Sequence, residues 1–223
     1  MDKYIKIAAW AGIVSFIGMI GSTWAMIIGS LAGIVAAYGF YRIASHEKMK
    51  WLKVTSVLLM LATVGALLLE TFYMTDAKLD ESFSRLGEQM SELGITNPKA
   101  ITEEQAEQLG PHIIKLSSAG LAPYVYELGI LGIAVLLFGI TLLPLKKLGK
   151  LLVPWTAGLN IGAGAAYMLL MPMLWIVLLV NLRGVLYASY ILSLMLFLSG
   201  TGAATAATIL EIILLFRAAK KYR

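Results

Sequence analysis

Three glutamates stand within or beside long apolar stretches of this chain: Glu70, Glu127 and Glu211. Asn160 and Arg183 are the polar side chains best placed to act with them. An acidic group at the centre of a membrane helix costs about 2.5–3.5 kcal/mol on insertion scales, so it usually faces the protein interior or a water-filled path. The chemistry open to such groups is to hold a cation or a proton, or to anchor a polar solute. Glu70 and Glu127 flank the same connecting segment and Arg183 falls at the same level, so these three are expected to form one outer cluster. The same groups serve equally as an interhelical ion pair or as carboxylates reaching the interface. Glu211 lies toward the opposite end, with Arg217 the nearest cation in sequence. Asn160 belongs to a glycine-rich stretch near mid-depth, where it suits a pathway or a hydrogen bond between helices.

Catalysis finds no support among the remaining residues. The sequence has no His-Glu-x-x-His, Gly-x-Ser-x-Gly, Cys-x-x-Cys or Walker pattern, so no catalytic residue, metal-ligand set or cofactor is assigned. Cysteine is absent, which removes disulfides and thiolate chemistry. His46 and His112 both lie in connecting segments, so paired-histidine haem ligation within a bilayer is excluded. The aquaporin Asn-Pro-Ala signature and the Thr-Val-Gly-Tyr-Gly filter are missing too. The expectation is a protein that is not an enzyme.

The elements that must position the carboxylates are membrane spans. With 59% hydrophobic and 14% charged residues, the chain falls outside the range of soluble and of disordered proteins. Apolar runs fall at about 5–21, 23–44, 53–74, 120–144, 151–180 and 185–216. Each is long enough to cross a hydrocarbon core that needs about 20 helical residues. Gly21, Ser22 and Thr23 mark a tight turn between the first two. The basic start around Lys3 and Lys6 resembles a signal peptide, but is read as a retained first span. Pro172 is expected to kink the fifth run.

The predicted fold is an all-α integral membrane protein, a bundle of six transmembrane helices. Residues 1–75 form the first three spans, 76–119 an outer segment, and 120–223 the last three spans with a basic tail. Lys and Arg gather in four clusters, at 3 and 6, at 42–53, at 146–150 and at 217–223. All four fall on one side of a six-span chain, which the positive-inside rule makes the cytoplasm. A multi-pass protein of the cell membrane with both termini cytoplasmic is the expected localisation. The net charge of +5 then reflects topology and anionic lipid, not nucleic-acid binding.

Segment 76–118 holds eight acids against four bases. Leu79, Phe83, Leu86, Met90 and Leu93 repeat at helical spacing, Gly94 suits a helix end, and Thr102 to Gln105 has the form of a capping box. A helical hairpin over the outer mouth is predicted, either packing on the bundle or docking a partner.

Two stretches echo each other: 29–38, GSLAGIVAAY, and 158–167, GLNIGAGAAY, with a second echo that sets Glu70 on Glu211. Their placement predicts an inverted three-plus-three repeat, an arrangement common in small transporters. Gly29, Gly33, Gly158 and Gly162 lie on small-residue ridges that let helices approach closely, and the ridge of span two is the first choice for a homo-oligomer face. The leading functional expectation is a small-solute or ion transporter or channel. The alternative is a non-catalytic interaction or assembly subunit of a membrane complex.

Overall fold

The structure is a computed structural model; it describes residues 3–18, 23–73, 84–85, 87–95, 128–179 and 183–222, with single positions at 102, 105 and 108. Among these the chain is helical apart from short turns and carries no strand. The long helices are α1 (Lys3–Gly18), α2 (Thr23–His46), α3 (Lys50–Tyr73), α4 (128–142), α5 (Leu152–Leu179) and α6 (Arg183–Lys221). Helix α4 runs on into a 3-10 segment at Leu143–Leu148. Four stretches are long and apolar enough to cross a membrane: Ile27–His46, Lys50–Leu68, Leu128–Leu148 and Leu192–Lys221. Helix α5 stays helical through Pro172. At 39 residues, α6 is about 58 Å long and exceeds a hydrocarbon core of roughly 30 Å.

Side-chain size sorts inside from outside. On α1 the exposed face carries Ile7, Trp10, Val14 and Ile17, while Ala8, Ala9, Gly12 and Ser15 are buried. On α4 Ile130, Ile133, Leu137 and Ile140 point outward at helical spacing, and Ala134 and Phe138 point inward. Water would penalise such an exterior, whereas lipid tails accept it and leave small residues to bring the backbones together. Helix α1 packs on α2 and α6, α2 on α3, and α5 along α6. Thr55 of α3 and Thr141 of α4 share a hydroxyl–hydroxyl bond of 2.6 Å, and Phe40 of α2 meets Phe138 of α4 edge to face at 5.1 Å.

Contacts draw all four basic clusters to one end of the bundle. Arg42 lies over the Tyr4 ring, Lys221 bonds Glu47 at 2.6 Å, and Arg217 lies beside Gly149. The tightest core sits at this end: Ile5, Phe40, Ile43, Leu52, Phe138, Leu142, Leu214 and Leu215 are wholly buried. Tyr4, Trp51 and Trp155, each in or beside the first turn of its helix at this end, are exposed and suit an interfacial aromatic belt.

Glu47, in the turn between α2 and α3, accepts bonds from Lys221 and from the Tyr222 hydroxyl, whose ring stacks on His46 at 4.8 Å. The Lys221 bond, then the Tyr222 bond, hold the Glu47 carboxyl below its ordinary value of 4.5, while burial and Glu47 push the Tyr222 hydroxyl up. A depressed carboxyl contributes stability that is present above its unfolded value and lost as pH falls through the folded one. Amide-exchange protection at 217–222 should therefore fall as the pH is lowered below about 4.5. Glu47→Gln should show that lower protection already at neutral pH. The loss should be small, about 0.2–1 kcal/mol for an exposed pair. Equal protection in both proteins at neutral pH would remove this role from Glu47.

In the segment between α3 and α4 a short helical stretch ends at Gly94, which adopts φ +68°. Its N–H donates to the Ser91 carbonyl and the Ile95 N–H to the Met90 carbonyl, the paired bonds of a glycine-terminated helix. Thr102 and Gln105 exchange the reciprocal bonds of a capping box, at 3.0 and 3.3 Å. The Gln105 amide also donates to the Leu93 carbonyl at 2.9 Å, tying the two parts of the segment together. Leu79, Phe83 and Leu86 of the expected stripe lie outside the described residues.

Candidate functional site

All six long helices contribute to one cavity of about 290 Å³ above the basic-end core. Small residues open it: Gly12 on α1, Gly29, Gly33 and Ala36 on α2, Ala66 on α3 and Ala204 on α6. Aliphatic side chains supply most of the remaining wall, among them Leu59, Leu67, Leu131, Val135 and Ile212. Phe40 and Leu215 belong both to this lining and to the buried core, so the core separates the cavity from the basic end.

Its polar end is a pair the sequence did not bring together. The Asn160 side chain on α5, buried, donates from Nδ2 to Glu211 Oε1 on α6 at 2.7 Å and to the Thr156 carbonyl at 3.0 Å. Both neighbours are acceptors, which fixes the amide with its nitrogen toward them. Glu211 is half-buried, and among the described residues Asn160 is its hydrogen-bond partner, with no described cation paired to it. Thr63 and Thr208, also in the wall, each donate to a carbonyl of their own helix at 2.9 Å, Leu59 and Ala204 respectively. Such back-bonding satisfies a hydroxyl where water is scarce.

Other expected site residues fall differently. Glu127 lies outside the described residues, as do the side chains of Glu70 and Arg183. The expected outer cluster of these three therefore falls there too. The α2 ridge chosen for an oligomer face packs within the chain. A Cβ on Gly29 would stand 2.9 Å from the Gly18 Cα of α1, and one on Gly33 would stand 3.1 Å from the Ser15 hydroxyl. Gly158 and Gly162 are exposed, with open space where a Cβ would stand.

The glycines that close α4 against α5 are others. A Cβ on Gly164 would meet the Gly132 carbonyl oxygen and the Leu136 nitrogen, both at 2.6 Å, and one on Gly139 would meet the Ala157 oxygen at 2.9 Å. Tyr38 and Tyr167 also differ in surroundings. Tyr38 is exposed beside Tyr4 and Tyr41, whereas Tyr167 lies between Gly132 and Gly200.

Among known protein families, curated proteins and solved structures, none matches this chain.

Proposed function

We propose that the protein is a multi-pass membrane transporter or channel for a small solute or ion, with the cavity as its binding chamber. One observation carries this reading: a carboxylate and an amide stand at the end of a largely apolar chamber inside the bundle. A bundle built only to anchor a partner gains little from that arrangement, because a carboxylate in its interior with no described cation beside it costs stability. Glu211 and Asn160 are the pathway residues of this proposal, and Glu70, Glu127 and Arg183 belong to its outer part.

The proposal takes all six long helices as spans, with the 76–119 hairpin outside and the basic end in the cytoplasm of the cell membrane. Its support is the gathering of the basic clusters at one end and the aromatic side chains beside them. The three-plus-three repeat is part of the same reading. Two glycine-tight hairpins, α1 with α2 and α4 with α5, support it, as does the burial of both Ala37 and Ala166. The sequence-matched glycines do not share surroundings, Gly29 being buried and Gly158 exposed, so the proposed kinship lies in the hairpins.

The test is flux into proteoliposomes holding the purified protein. Uptake of a small solute or ion should exceed that of empty vesicles and drop at least tenfold in Glu211→Gln. Absence of flux for protons, monovalent ions and small metabolites would sink the transport reading. It would favour a non-catalytic assembly subunit that docks partners through the outer segment, in which the Gln105 amide bonds the Leu93 carbonyl.

A further inference from the structure

Among the described residues, the polar end of the cavity offers mostly acceptors. Both hydrogens of the Asn160 amide are engaged, one by Glu211 and one by the Thr156 carbonyl, which leaves Asn160 Oδ1 as an acceptor. An ionised Glu211 is acceptor-only, and its Oε2 is not engaged by any described residue. Thr63 and Thr208 have directed their hydrogens to their own helices, so their remaining capacity is lone pairs. Ser15 and Ser30 add hydroxyls that accept as well as donate.

The charge has the same sense. Among the described residues no Lys, Arg or His lines the cavity, and Glu211 is the one ionisable side chain in its wall. An anion would meet repulsion without compensation, and a polyol would find too few donors for its own oxygens. An inorganic cation would exchange its water shell for a wall made mostly of aliphatic carbon, and lose by it. A group with donors, a positive charge and a hydrocarbon body meets each feature in turn. About 290 Å³ lies at the small end of ligand pockets, which start near 300 Å³, so the body must be short.

We infer that the cavity binds a small primary alkylammonium, its nitrogen at Glu211 and Asn160 and its chain along Leu59, Leu131, Val135 and Ile212. An ammonium brings three donors and no acceptor, the complement of this acceptor set. The inference rests on the reading of the cavity as a solute chamber and names the class of solute.

The experiment is calorimetric titration of the protein in lipid nanodiscs, with empty nanodiscs as blank. The probes are n-butylammonium, n-butanol, n-butyrate and sodium chloride. Butylammonium should bind, butanol at least tenfold more weakly, and butyrate and sodium not at all. Glu211→Gln keeps the shape of the side chain and should weaken butylammonium binding about ten- to hundredfold, as expected for a charge-assisted bond. Ala66→Leu, in the chamber wall on α3, takes up its space while keeping both polar side chains and should abolish binding; it carries the test if Glu211→Gln fails to fold. Binding of butanol or butyrate as tight as that of butylammonium would overturn the inference, as would butylammonium binding indifferent to Ala66→Leu, or no binding of it at all. Butylammonium binding without flux upholds the site and defeats the transport reading. Flux of an inorganic ion without butylammonium binding does the reverse.

Discussion

Leucine at Gly164 will prevent folding, whereas leucine at Gly158, six residues earlier on the same helix, will leave the protein intact. At Gly164 even a Cβ would stand 2.6 Å from backbone atoms of Gly132 and Leu136, so no rotamer change makes room. Helix α4 would have to move off α5, and the contacts at Gly139 with Ala157 and Ile161 would open with it. Overpacking a core costs about 1–3 kcal/mol and occasionally more. Backbone on the receiving side puts this case at the upper end or beyond. At Gly158 nothing lies within 4 Å of a Cβ and the position is exposed, so the change should stay within about 0.5 kcal/mol. Folded yield after purification and unfolding in mixed micelles read both. Equal yields would mean that α4 and α5 do not pack as described. A Gly158→Leu protein that folds but loses self-association would make the exposed ridge an interface between copies.

Asn160→Leu carries the second large effect. It removes the partner of Glu211 Oε1 and of the Thr156 carbonyl in one step. Hydrogen bonds between membrane helices average about 0.6 kcal/mol and reach about 1.7. Bonds to a charged group are worth more, about 1.5–3 kcal/mol, and a buried charge left alone adds its own penalty. A loss of about 2–3 kcal/mol is expected. The double variant Asn160→Leu/Glu211→Leu should recover at least half of it, because removing both polar partners leaves no orphaned charge. Additive losses in the double variant would show that the two side chains do not depend on each other.

Local signals were legible in the sequence because local chemistry decides them. Helix α1 is described to Gly18 and α2 from Thr23, on either side of the expected turn, whose Gly21 and Ser22 lie outside the described residues. Gly94 ends its helix in the left-handed conformation that its type allows, and Thr102 and Gln105 make the bonds their spacing implies. The four basic clusters meet at one end because successive helices alternate in direction. Tertiary choices were less legible. Ridges of small residues occur on several faces, and spacing alone does not say which one meets a neighbour. So Gly29 and Gly33 pack on α1, and α4 closes on α5 through Gly132, Gly139 and Gly164. Asn160 and Glu211 are 51 residues apart, and Arg217 was the nearer charge in sequence. A usable signal did exist. Both lie roughly 12–15 Å along their helices from the basic end, so depth counted from that shared end places them level.

As a binding chamber, the cavity ending at Glu211 must be reached by solute from the side opposite the basic clusters, because the core closes it toward them. The chain has no cysteine, so a single one reports without background. Thr208→Cys puts the probe in the cavity wall, and Phe138→Cys puts it in the buried core. A membrane-impermeant thiol reagent applied from the side opposite the basic end should label Thr208→Cys, and the same reagent from the basic side should not. Phe138→Cys should stay unlabelled from both sides. A Thr208→Cys protein that is folded yet unreactive from either side would contradict the account, since the space beside Glu211 would then be a sealed packing void.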